Sequence, residues 1–104
     1  MDNSTKIGVV TGTGAALNVS LGFIPDYVRI VTEDGSRNSE WFEGMAEGTA
    51  VSAAAGSVTV LTGGNGIATY VGTQSQPKGF TLGTTISQAG KRLFYFAART
   101  SSGV

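Results

Sequence analysis

At 104 residues, with neither histidine nor cysteine and with seven acids balanced by seven bases, the chain is long enough for one domain with a single core. The missing residue types exclude the commonest general base, the commonest metal ligand, thiolate chemistry and any disulfide, so no cofactor, metal or catalytic residue is expected. No run of about 18 apolar residues offers a membrane-spanning helix, and four bases in the second half without interleaved aromatics make a poor nucleic-acid footprint, so neither a membrane nor a nucleic acid is expected as a partner.

Residues 1–6, Met1 to Lys6, lack the basic-then-apolar order of a signal peptide and read as an extended N-terminal arm. A product without such a signal is expected to stay in the cytoplasm where it is made, or to be assembled there into something larger. Residues 7–104 read as a single β domain. A first strand is predicted over 6–11. It runs into Thr11-Gly12-Thr13-Gly14-Ala15-Ala16-Leu17, which invites a dinucleotide-loop reading. The third glycine is replaced by Leu17, and the required helix would collide with the Gly22/Pro25 turn, so a strand-to-strand turn is expected instead. Residues 17–21 alternate cleanly, with Leu17, Val19 and Leu21 on one face.

Gly22-Phe23-Ile24-Pro25 sets a turn, because Gly tolerates positive φ and Pro holds φ near its turn value. A β-rich strand follows over 27–32, with Val28 and Ile30 on one face and Arg29 on the other. Glu33 to Ser39 reads as an exposed turn. The next predicted strand, 40–45, holds an acidic-aromatic cluster: Glu40, Trp41, Phe42 and Glu43, with Glu47 close behind. Paired carboxylates beside aromatics suit a glycosidase pair, a sugar platform or a Ca²⁺ site. On a strand, however, Glu40 and Glu43 point to opposite faces, and the simpler expectation is a Trp41 buried at a sheet edge beside solvated glutamates.

Residues 48–55 offer at most one helical turn, given their Gly, Thr and Val content. A strand over 57–62 places Val58 and Val60 on one face and Thr59 on the other. Thr62-Gly63-Gly64-Asn65-Gly66-Ile67 is a hairpin signal, since Gly-Gly and Asn-Gly both accept positive φ. Strands over 67–71 and 79–82 follow. Gly90-Lys91 fails as a phosphate loop because Thr85 stands where the first Gly belongs and Arg92 where Ser or Thr belongs. The last strand, 92–98, holds Phe94 and Phe96 on one face and Leu93 and Tyr95 on the other. With both faces apolar it is covered twice, by the second sheet or by a partner subunit.

Eight short strands separated by turns, in a chain where Gly, Ala, Ser and Thr make up 50 of 104 residues, predict an all-β fold. The expected architecture is a β-sandwich or a jelly-roll-like small barrel with antiparallel strands. Charge is segregated along the chain: all seven acids lie between Asp2 and Glu47, and residues 53–104 carry four bases and no acid. Either strands from the two halves interleave and cancel this asymmetry, or the molecule presents opposed charged faces suited to head-to-tail contact.

Three segments, in order, resemble small structural proteins of tailed-bacteriophage virions. They are Gly22-Phe23-Ile24-Pro25-Asp26-Tyr27-Val28-Arg29-Ile30-Val31, then Glu40-Trp41-Phe42-Glu43-Gly44-Met45, then Lys78-Gly79-Phe80-Thr81-Leu82-Gly83 through Gly90-Lys91-Arg92-Leu93-Phe94-Tyr95-Phe96-Ala97-Ala98-Arg99. The resemblance implies a capsid decoration (cement) protein on the virion surface, non-catalytic, binding the major capsid protein and assembling as a homotrimer that bridges neighbouring capsomers. In that reading the oligomer contact uses Phe94 and Phe96, or Trp41 and Phe42, and the capsid contact uses the unpaired arm from Met1 to Lys6 by strand addition. The alternative is a head-fibre or tail-fibre module that binds host-surface glycan through Trp41 and nearby carboxylates.

Overall fold

Strand-forming segments and glycine-rich turns alternate along this chain with no room for a helix, and a computed structural model, which describes residues 4–54 and 56–99, is all-β. Its elements are β1 (Ser4–Thr11), β2 (Leu17–Ser20), β3 (Tyr27–Thr32), β4 (Asn38–Phe42), β5 (Ala50–Ala54), β6 (Ser57–Leu61), β7 (Ile67–Tyr70), β8 (Gly79–Leu82) and β9 (Arg92–Arg99). They form two antiparallel sheets, one of six strands in the order β1-β9-β3-β4-β5-β6 and one of three in the order β2-β8-β7. Neither sheet closes on itself, so the architecture is a small sandwich and not a barrel. The Thr11-to-Leu17 segment joins β1 in one sheet to β2 in the other, as a strand-to-strand turn.

The core lies between the sheets, and strand alternation fills it. Val28 and Ile30 of β3, Trp41 of β4, and Leu93, Tyr95 and Ala97 of β9 face Val19, Ile67, Phe80 and Leu82 of the small sheet. Each large side chain removed from water in this way contributes about 1.5–3 kcal/mol. Phe80 and Tyr95 meet edge to face across the gap, with ring centroids 5.6 Å apart. Gly8 sits under the Tyr95 ring: a Cβ there would lie 2.6 Å from the phenol oxygen. A side chain on that residue would push the ring out of the core.

Four expectations change. Nine strands are present among the described residues instead of about eight, because residues 50–54, expected to hold at most a helical turn, form β5. Ala50 and Ser52 point inward there and are buried, and their small size suits a site crossed by Arg37, whose Nη1 donates to Ser52 Oγ at 2.6 Å. β4 covers Asn38–Phe42 and not 40–45, since Asn38 and Ser39 pair with both neighbouring strands.

The boundary expected at residue 6 also moves. Ser4, Thr5 and Lys6 belong to β1 and stand opposite Arg99, Ala98 and Ala97 of β9. Extended backbone beside the open edge of β9 gains ladder hydrogen bonds there, so a boundary at residue 6 does not hold; Met1 lies outside the described residues. Finally, Thr62 to Ile67 is not a hairpin. β6 pairs with β5 and β7 with β8. The turn, with Gly63 at φ 65° and Gly64 at φ 85°, carries the chain from one sheet to the other. It lands beside the lead-in to β5, where Gly66 N donates to Gly48 O and Ile67 N to Thr49 O.

Candidate functional site

The same alternation that fills the core leaves the other face of the six-stranded sheet with no second layer among the described residues. Seven of the eight large exposed hydrophobic side chains among the described residues lie on that face, which makes it a continuous surface and not a scatter. Ile7 and Val9 come from β1, Phe94 from β9, Phe42 from β4, Val51 from β5, and Val58 and Val60 from β6. Ile7 is 76% exposed and Val58 70%, values unusual for β-branched residues in the middle of strands.

At the β1–β9–β3–β4 end the surface is aromatic and ordered by its own contacts. Tyr27 stands directly opposite Phe42 in the ladder, with ring centroids 5.0 Å apart, and meets Phe96 at 5.9 Å in an edge-on arrangement. The Tyr27 hydroxyl donates to Glu40 Oε2 at 2.9 Å. Burial, and then that hydrogen bond and the charge of Glu40, push the Tyr27 phenol above its usual pKa. Arg29 Nε donates to Asn38 Oδ1 at 3.3 Å, and the Arg92 guanidinium sits 5.6 Å from the centre of the Phe94 ring. Ile7, Arg29, Val31, Phe94 and Phe96 line an open hollow of about 310 Å³.

At the β5–β6 end the surface changes character. Val51, Val58 and Val60 carry it, with Ala53 between them in the ladder, and no charged residue occurs anywhere in residues 48–77.

The expected contact residues separate cleanly. Phe42, Phe94 and Phe96 come together on the outer face. Trp41 does not: one residue along β4 it faces the core at 2% exposure, with Nε1 turned to Ala46 O at 3.4 Å. It sits opposite Val28 in the fourth of six strands and not at a sheet edge. Lys6 is exposed on β1, paired with Ala97, and is not part of the aromatic row. Ile7, Val9 and the valines of β5 and β6 are the surface residues that sequence reasoning did not single out as contacts. The signal for them was the Val58/Val60 alternation itself, which fixes a shared face without saying which side is covered.

The acidic-aromatic cluster disperses. Glu40 is engaged with Tyr27 on the outer face. Glu47 Oε1 accepts from Thr69 N at 2.6 Å and from Thr69 Oγ1 at 2.9 Å. Glu43 lines a separate hollow of about 240 Å³ with Pro25, Trp41, Met45 and Arg99. No group of three or more carboxylates placed to hold a metal ion occurs among the described residues. Charges of the two chain halves do interleave at one end of the molecule: Asp34 pairs with Lys91 at 2.5 Å and Glu33 with Arg92 at 3.0 Å. The hydrogen bond from Lys91, and then those from Ser36, hold the Asp34 carboxyl well below the usual carboxylate range.

What this arrangement can do is bind, by an apolar sheet face with a few fixed polar groups. No family profile, no curated protein sequence and no solved structure matches the chain.

Proposed function

We propose that the chain is a non-catalytic subunit of a tailed-phage virion, a decoration protein that docks on the major capsid protein and on copies of itself and so stabilises the shell. The observation that carries the reading is the uncovered apolar face of the six-stranded sheet, with Phe42, Phe94 and Phe96 gathered on it. The segments that resemble virion proteins supply β3, the end of β4, β8 and β9, and of these β9, β3 and β4 are the neighbouring strands that build the aromatic half of this face. In this reading three copies assemble as a trimer through the aromatic end. A shell that binds only the folded chain adds RT ln(1 + [L]/Kd) to its stability, which suits a small core without disulfides.

Burial of Trp41 removes the stacking platform on which the glycan-binding alternative rested, so nothing in the geometry favours a fibre module over a shell contact. The test is co-sedimentation with heads of the phage that encodes the chain, prepared without it. Phe94→Lys, at an exposed position, is expected to keep the fold and to lower head occupancy at least tenfold, about 1.4 kcal/mol of contact. Wild-type occupancy by the folded variant would overturn the assignment of this face.

A further inference from the structure

An exposed sheet edge is a row of unpaired N–H and C=O groups, and natural proteins guard such edges with a charge, a cap, a proline or shortness. Of the four edges in this sandwich, three are guarded. β1 carries Lys6 on an exposed position. β7 has only four residues, and the carboxylate of Glu47 takes the backbone N–H of Thr69. β2 is a four-residue strand as well, too short to offer much of an edge.

β6 is different. Ser57-Val58-Thr59-Val60-Leu61 has no charge, no proline and no capping side chain, and four of its five residues are exposed. Among the described residues its only backbone ladder is the one to β5. It also belongs to the charge-free stretch 48–77.

We propose that β6 pairs with β6 of a second copy, antiparallel, about a two-fold axis through Thr59. The sequence favours this occupant over a foreign strand because Val58-Thr59-Val60 reads the same in both directions. An isologous contact needs self-complementarity, and here Val58 meets Val60 of the second copy on the apolar face while Thr59 meets its own equivalent. No like charges are brought together, which any pairing of β1 with itself would risk at Lys6. The two six-stranded sheets then run on as one, and the valine surfaces of both copies become continuous across the axis.

The pairing stands on the state of this edge and not on what the aromatic end binds. In the decoration reading it would link one trimer to the next over the shell, since β6 lies at the opposite end of the sheet from Phe94 and Phe96.

Because the natural chain has no cysteine, a single introduced thiol reports the contact directly. Directly opposed residues of antiparallel strands have Cα atoms roughly 4.5–5.5 Å apart, within disulfide reach. Under mild oxidation Thr59→Cys is expected to give mainly covalent dimer, while Gln74→Cys, on an exposed loop, stays monomeric at the same concentration. Equal cross-linking of the two variants would overturn the proposal. Thr59→Lys supplies the missing guard: the wild-type mass by sedimentation is expected to rise twofold with concentration through a step that the folded variant lacks. A variant that keeps that step would overturn the proposal as well. Head occupancy separates the two readings, since Thr59→Lys tests only the edge and Phe94→Lys only the aromatic face.

Discussion

The two ends of the six-stranded sheet present apolar surfaces that are built in opposite ways. At the β9–β3–β4 end, Phe96, Tyr27 and Phe42 touch in a row across three strands, and hydrogen bonds from Tyr27 and Arg29 pin the polar groups among them. At the β5–β6 end, Val51, Val58 and Val60 carry the surface without a polar anchor, and the backbone edge beside them is open. The layer beneath differs in the same sense. Large side chains, Trp41, Tyr95 and Leu93, underlie the aromatic end, whereas Ala50 and Ser52 underlie the valine end, with Arg37 folded across them. Rings fixed by their neighbours lose little freedom when a partner arrives, so the aromatic end is suited to side-chain recognition. Stiff β-branched residues next to free N–H and C=O groups are suited to main-chain pairing.

The sharpest way to break this comparison is to empty the layer under the aromatic end. Trp41→Ala is expected to cost about 3–5 kcal/mol by chemical denaturation, enough to threaten the fold, because a fully buried indole leaves a cavity. Its neighbour Phe42, mutated to Ala, should cost well under half of that, since its ring is already half exposed. Equal losses would mean that the two faces of β4 are not as distinct as their burial indicates.

Under the valine end the effect is polar and smaller. Ser52→Ala removes the acceptor of Arg37 Nη1 and the partner of Ser39 Oγ, both inside the sandwich. A buried donor left unsatisfied costs about 1–3 kcal/mol. Arg37 Nε already lacks a partner among the described residues, which leaves that guanidinium little alternative bonding. A double variant that also replaces Arg37 by Met should recover part of the loss, as measured by the shift in the denaturation midpoint.

Smaller still is the hydroxyl of Tyr27. Tyr27→Phe is expected to cost about 0.5–1.5 kcal/mol for the lost hydrogen bond to Glu40. The sign of the pH dependence follows from the raised pKa. The folded state favours the neutral phenol, so the contribution is complete below the ordinary tyrosine value near 10 and fades as pH rises through the higher folded value. In an absorbance titration, the difference between the wild type and the Phe variant should report an ionisation of Tyr27 above the ordinary tyrosine value.

The least effect belongs to the solvent-facing pair of Asp34 with Lys91. The carboxyl is depressed, so its contribution is present above pH 4 and is lost as pH falls toward the folded value. Asp34→Asn should lower stability slightly at neutral pH and converge with the wild type in acid, so that the acid limb flattens, with salt erasing the difference.

Local alternation carried most of the fold into the sequence. Tyr27–Thr32 and Gly79–Leu82 have the predicted bounds, because β-branched and aromatic residues there alternate against clear turn signals. β5 stayed hidden because Ala50, Ser52, Ala53 and Ala54 have weak strand preference, and only the large neighbours of their partner strands make a strand of them. Turn chemistry at Gly63 and Gly64 announced a reversal of the chain, but glycine says nothing about which strand waits on the other side. The candidate surface was legible in the same partial way. Trp41 and Phe42 had to face opposite sides of β4, and adjacency could not say which of them faced the core. Val58 and Val60 share a face by alternation, but only the ladder to β5 places that face with Val51 on the side away from the small sheet.

The position of β9 also governs when this chain can fold. It is the last described strand to leave the ribosome, and it sits between β1 and β3, which pair with it along nearly their whole lengths. Until residues 92–99 emerge, β1 has no neighbour and the inner layer lacks Leu93, Tyr95 and Ala97. Folding of the six-stranded sheet therefore waits for residues 92–99, through contacts of very long sequence separation that form slowly. A product cut short before β9 cannot assemble the aromatic row, so only copies that carry this strand can present the full surface.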